Sequence, residues 1–189
     1  MNMWLVLLFS GFVTQACSES LPLTSGCKHD ICVYQTPNIG ARECAEIIAH
    51  ANNGWPIQIS TIPQWSAWDE LLFQAFGDAM KRYHSPYDAA IFEDAPQDAG
   101  YTLLHRTEAN GTMHIHIDAP QARLRVGAVL FLDARVGGGA WEWPRQSVYV
   151  EPACGRMVLF PNTYTHPKVL RAIVAGSMCY IVTWFISRA

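Results

Sequence analysis

Charge is scarce in this 189-residue chain: Asp, Glu, Lys and Arg make up 15% of it, and the net charge is −3. With 50% hydrophobic and 12% aromatic residues beside so little charge, a disordered chain is excluded. There is no basic excess, and a pI near 6.1 leaves no electrostatic footprint for nucleic acid. Internal repeats and low-complexity tracts are absent, so solenoid and linker architectures are excluded. A phosphate-binding loop is also missing. Gly137-Gly138-Gly139 has neither a lysine nor a helix start after it and is expected as a turn. No apolar run is long enough to span a bilayer as a mature helix.

The N-terminus lacks Lys and Arg but carries Trp4-Leu5-Val6-Leu7-Leu8-Phe9 and Phe12-Val13, then Thr14-Gln15-Ala16 before Cys17. Small residues at those positions suit cleavage, and residues 1–16 are expected as a signal peptide, with a buried strand or a lipid-modified Cys17 as alternatives. Cysteine use agrees with the secretory pathway, the endoplasmic reticulum lumen or the outside of the cell. Cys27 and Cys32 close a short loop suited to a disulfide, and Cys44 and Cys179 read as core thiols or bridge partners. Asn110-Gly111-Thr112 is a glycosylation sequon.

What is present suits one domain over 37–189, preceded by an N-terminal arm over 17–36. Apolar positions 44, 47, 48 and 51 repeat at helical spacing, and Asn52-Asn53-Gly54 ends the run. A second helix is expected over 64–83, with an apolar stripe from Trp65 to Tyr83; residues 55–63 read as extended and 84–100 as a loop. From Tyr101 on, short apolar runs alternate with turns. The candidate strands are 101–106, 112–118, 125–133, 140–143, 146–151, 156–161, 169–175 and 178–186. The expected class is α+β, mainly β: a double-stranded β-helix, or jelly roll, with supporting N-terminal helices.

One stretch carries chemistry. In His114-Ile115-His116-Ile117-Asp118 an extended strand puts both histidines and the aspartate on one face. A His-x-Asp pair is two thirds of a 2-His-1-carboxylate triad, which holds iron(II) and leaves positions open for co-substrate and oxygen. The only downstream histidine is His166.

Residues 101–186 resemble the iron(II)- and 2-oxoglutarate-dependent oxygenases of the prolyl hydroxylase group. His116-Ile117-Asp118 is similar to the iron motif, Val129-Leu130-Phe131-Leu132-Asp133 to "LYLND", and Gly138-Gly139-Ala140-Trp141-Glu142-Trp143 to "GGEFxF". Val150 to Phe160 resembles "xxPxxGRMVxF", and Ala172 to Phe185 resembles "AVxxGxRCxxxxWF". The Cys154-Gly155-Arg156-Met157-Val158 run and Cys179 lean toward the prolyl 3-hydroxylase (leprecan) branch.

The resemblance implies a peptidyl, in first place prolyl, hydroxylase of the secretory pathway. Its cofactors would be Fe(2+) and 2-oxoglutarate, with ascorbate as a candidate addition. Its partner would be a proline-containing peptide or protein, with no nucleic acid and no membrane span after signal cleavage. The implied metal ligands and catalytic residues are His116, Asp118 and His166. His114 would be a contact on the same face, or an exposed histidine at the barrel mouth.

Two columns depart from the family. Met178 stands where an Arg or Lys pairs with the distal carboxylate of 2-oxoglutarate. Arg123, Arg125, Lys168 and Arg171 are the replacement candidates. Aligned from Gly176, the distal histidine column falls on Lys168. His166 is two residues earlier, a shift that keeps the strand face and leaves it the expected ligand. The alternative is a jelly roll that has lost the anchor and serves as a peptide- or partner-binding module.

Overall fold

The computed structural model describes residues 22–52, 54–83, 97–109, 111–118, 124–133 and 136–186. The expected signal peptide, Asn110 of the sequon, Arg123, the Arg125 side chain and the 84–96 part of the expected loop lie outside the described residues.

Two helices come early. α1 (Ala41–His50) buries Cys44 and Ile47, and α2 (Ser66–Arg82) buries Leu72, Ala75, Phe76, Ala79 and Met80. Both follow the predicted stripes, because residues three and four apart share a helix face. The remaining described chain is chiefly strands: β1 (Gly26–Lys28), β2 (Ile31–Gln35), β3 (Ile57–Gln58), β4 (Gln97–Asp98), β5 (Thr102–Thr107) and β6 (Met113–His116). These are followed by β7 (Leu124–Phe131), β8 (Val136–Gly138), β9 (Trp141–Trp143), β10 (Val148–Val150), β11 (Arg156–Pro161), β12 (Lys168–Leu170) and β13 (Ile173–Ile186).

The strands make two antiparallel layers, so the jelly-roll class is what the chain forms. The larger sheet runs β1-β2-β11-β7-β13-β5-β3, and the smaller runs β10-β9-β12-β6. Alternation along β13 builds two cores from one strand. Cys179, Ile181 and Phe185 pack outward with the helices, while Met178, Tyr180 and Val182 face inward between the sheets. The inner core is aromatic: Trp141, Trp143, Phe131, Phe160 and Tyr180 are all at most 3% exposed.

The structure corrects several sequence expectations. From residue 26 on, the stretch expected as an arm is built into the larger sheet, where β2 pairs β11 and buries Ile31, Cys32 and Val33. Gly137 and Gly138, expected in a turn, belong to β8, which pairs with β13. The expected strands 169–175 and 178–186 are divided differently. β12 ends at Leu170, and one strand runs on through Gly176, whose φ of 80° bends it without ending it. Residues 55–63 are extended only at β3 and then turn helically.

Two disulfides are present. Cys27–Cys32 bridges the β1–β2 hairpin, and Cys44–Cys154 ties α1 to the turn before β11. That turn needs glycine: Gly155 has a φ of 72°, and a Cβ there would strike the Ile39 carbonyl oxygen. Cys179 is a buried free thiol.

Candidate functional site

The His-x-Asp motif ends β6, at the edge of the smaller sheet. Its neighbour is β12, and the register sets His116 directly opposite Lys168. Directly paired residues send their side chains to the same face. Lys168, 2% exposed, therefore enters the space between the sheets beside the motif.

Asp118 is the hub. Its Oδ2 accepts from Lys168 Nζ at 2.7 Å and from the Trp184 indole Nε1 at 2.8 Å. Its backbone N–H donates to Asn162 Oδ1 at 3.2 Å, which fixes the turn after β6. His116 stands further off, with Nε2 3.6 Å from Asp118 Oδ1. A carbonyl oxygen only accepts, so His116 Nδ1, 2.7 Å from the His114 carbonyl, carries the hydrogen of that contact.

Beneath Lys168 lie two aromatic faces: its ammonium is 5.1 Å from the Phe160 ring centre and 5.9 Å from that of Trp141. The Phe160 ring covers Gly127 on the next strand, where a Cβ would come within 2.5 Å of it. Burial draws the Lys168 pKa below its ordinary value, and the Asp118 carboxylate opposes that shift.

His166 does not join this group. It precedes β12, in the turn that begins at Thr163, so the parity that would keep a strand residue on one face does not govern it. Its Nε2 donates to the His29 carbonyl in the β1–β2 turn at 2.9 Å, and its Nδ1 is 2.8 Å from Thr165 Oγ1. Both ring nitrogens are used, and neither faces Asp118.

These side chains do not fit the expected iron. Among the described residues no three His, Cys, Asp or Glu side chains converge on one point. His116 and Asp118 remain adjacent, but the third place is taken by an ammonium, which offers no lone pair and already carries the positive charge Asp118 needs. 2-Oxoglutarate fits no better. The cavity beside Asp118, lined by Val129, Trp141, Phe160 and Trp184, has a volume of ≈ 20 Å³, about that of one water molecule. Met178 is fully buried in the inner core.

None of the replacement anchors reaches inward as a free cation. Arg171 pairs with Glu142 at 2.7 Å and is 59% exposed, Lys168 is held by Asp118, and the Arg125 side chain lies outside the described residues. His114 is exposed.

Two inward-facing residues escaped the sequence reading. Trp184 donates to Asp118 from a position that reads only as an apolar strand residue. Arg106 on β5 lies opposite Met178, and its Nε donates to Tyr180 Oη at 3.2 Å. A cation in a strand between Leu104 and the polar Thr107-Glu108 reads as solvated charge. Only the β5–β13 register brings it inside.

No family model matches the sequence, and no curated protein matches it. Solved structures do. A viral collagen prolyl hydroxylase from Paramecium Bursaria Chlorella virus-1, in its 2-oxoglutarate complex, aligns with a TM-score of 0.67 at 12% identity, covering 84% of this chain and 96% of that one. A prolyl hydroxylase from Trichoplax adhaerens, in complex with a hypoxia inducible factor peptide fragment, aligns with a TM-score of 0.67 at 14% identity, covering 84% of each chain. An oxidoreductase of the 2OG-Fe(II) oxygenase family from Burkholderia pseudomallei gives 0.61 at 15% identity, covering 83% of this chain and 85% of that one. At such identities the likeness is one of fold, and it matches the two-layered barrel seen here.

Proposed function

We propose that this chain is a binding module with the architecture of a prolyl hydroxylase, in which the Lys168 ammonium stands where the metal would sit and no iron or 2-oxoglutarate chemistry runs. The carrying observation is the Lys168–Asp118 ion pair at 2.7 Å, with Lys168 2% exposed. An Asp beside an internal cation needs no metal to balance it, so the barrel can close and stay closed without one. The filled aromatic interior supports the same reading: what binds does so at the barrel mouth and not deep within it.

The partner in this reading is an extended, proline-containing peptide. Its support is the likeness to a prolyl hydroxylase solved with a peptide fragment. The workplace is an oxidising compartment, supported by the two disulfides.

Anaerobic titration with iron(II), with and without 2-oxoglutarate, tests the proposal. Wild type is expected to show no saturable binding of either and to form no succinate in air. The Lys168→His variant places an imidazole opposite His116 and is expected to gain at least tenfold in cobalt(II) affinity, read by visible absorption. One iron per wild-type chain together with succinate formation would restore the hydroxylase reading and sink this one.

A further inference from the structure

Arg106 is a cation without a counter-ion. Its Nε donates to Tyr180 Oη at 3.2 Å, and one terminal nitrogen touches only the thioether sulfur of Met113, at 3.7 Å. Sulfur is a weak acceptor, and a guanidinium has five N–H groups to satisfy. Among the described residues no carboxylate lies within ion-pair distance of Arg106; the nearby Glu108 accepts from the Gly176 N–H instead. Arg106 is half-buried and bridges the gap between the sheets, from β5 of the larger sheet to Met113 on β6 of the smaller.

Two further donors in the same place lack acceptors. The Tyr180 hydroxyl accepts from Arg106, so its own hydrogen is left to donate; the residue is 1% exposed, and no acceptor for it exists among the described residues. Trp141 packs edge-on against Tyr180 with ring centres 5.7 Å apart, is 3% exposed, and its Nε1 has no partner. Buried donors are costly to leave unpaired. Asp118 cannot answer for Arg106, because it is engaged by Lys168 and Trp184. Two inward cations thus face one inward carboxylate, and the unsatisfied groups are donors.

We propose that Arg106, with the Tyr180 hydroxyl, forms a carboxylate-binding site at the barrel mouth, which takes the acidic tip of a ligand whose body stays outside. The carboxylate accepts two parallel bonds from the guanidinium, the geometry that arginine favours. Met178, fully buried behind Arg106, closes the path inward, so only the tip enters. The acid comes either from a peptide side chain or from a small organic acid. The site deepens the binding-module reading and rests on it.

The test uses the full chain in EDTA. Propionate is titrated against tryptophan fluorescence and the Arg106 Nε resonance, with propionamide as the neutral control. A saturable response to propionate alone is expected, weakened at least tenfold in Arg106→Gln and unchanged in Arg171→Gln. Should Arg106→Gln fail to fold, Arg106→Lys keeps the charge, loses the fork, and is expected to weaken binding several-fold. Competition by a Pro-Glu-Pro peptide but not by Pro-Gln-Pro assigns the acid to a peptide; binding of propionate without such competition assigns it to a small molecule. Equal responses to acid and amide, or wild-type affinity in folded Arg106→Gln, overturn the site alone. Propionate binding that appears only with added iron overturns both the site and the binding-module reading.

Discussion

An ammonium that is 2% exposed needs a counter-charge, and Asp118 at 2.7 Å supplies it. Cutting one partner from such a pair strands the other. Lys168→Met is expected to lower stability by about 3 kcal/mol in urea denaturation. Lys168→Met combined with Asp118→Asn removes both charges and is expected to return within about 1 kcal/mol of wild type, since neutral packing often replaces a buried pair without loss. Equal destabilisation by the single and double variants would show that the pair contributes no coupling. Cys179 gives a pH-dependent counterpart. Burial, with the negative charge of Asp133 adding to it, pushes the thiol from 9.0 up to about 11. The folded state therefore keeps its proton longer than the unfolded chain does. That contribution is complete below pH 9.0 and is lost as pH rises through about 11. Thermal melts from pH 8 to 11 should fall more steeply for wild type than for Cys179→Ala, and parallel curves would count against the assignment.

Among the elements, the strands were legible where a turn residue or a run of inward apolar residues marks them. β11 matches its expected span, 156–161, because Gly155 can only be a turn there and Met157 to Phe160 are all buried. β12 was harder. Its start at Lys168 is set by pairing with His116 and with Glu142 on β9, not by any local signal in Thr165-His166-Pro167. The two-residue error about which side chain faces the motif follows from that start. The disulfides differ in reach. Cys44–Cys154 spans 110 residues and Cys27–Cys32 only 5. In the chain-entropy account, longer loops gain more from closure. Cys44→Ala/Cys154→Ala is expected to cost about 4 kcal/mol in guanidinium denaturation and Cys27→Ala/Cys32→Ala about 2. A larger loss from the short bridge would mean that it works through the native hairpin, whose His29 carbonyl holds His166.

At the scale of the whole molecule, two sheets enclose an aromatic core, and helices cover the outer face of the larger one. Such a barrel can host an inward-facing reaction centre only if its interior leaves room. Here Trp141, Phe160 and Tyr180 fill the interior and Lys168 sits above the first two. Function is thereby moved to the mouth, where His114, Ile115 and the β6 edge are exposed.

The sequence by itself determined the layered β architecture, both helices, the Cys27–Cys32 bridge and the adjacency of His116 and Asp118. Each of these depends on residues near one another in the chain, or on periodicities of two and 3.6 that local sterics impose. Only the tertiary structure decided that Lys168 and not His166 meets Asp118, that Arg106 turns inward opposite Met178, and that Trp184 completes the site. Those meetings depend on strand register across sheets, and register is the outcome of all the packing at once.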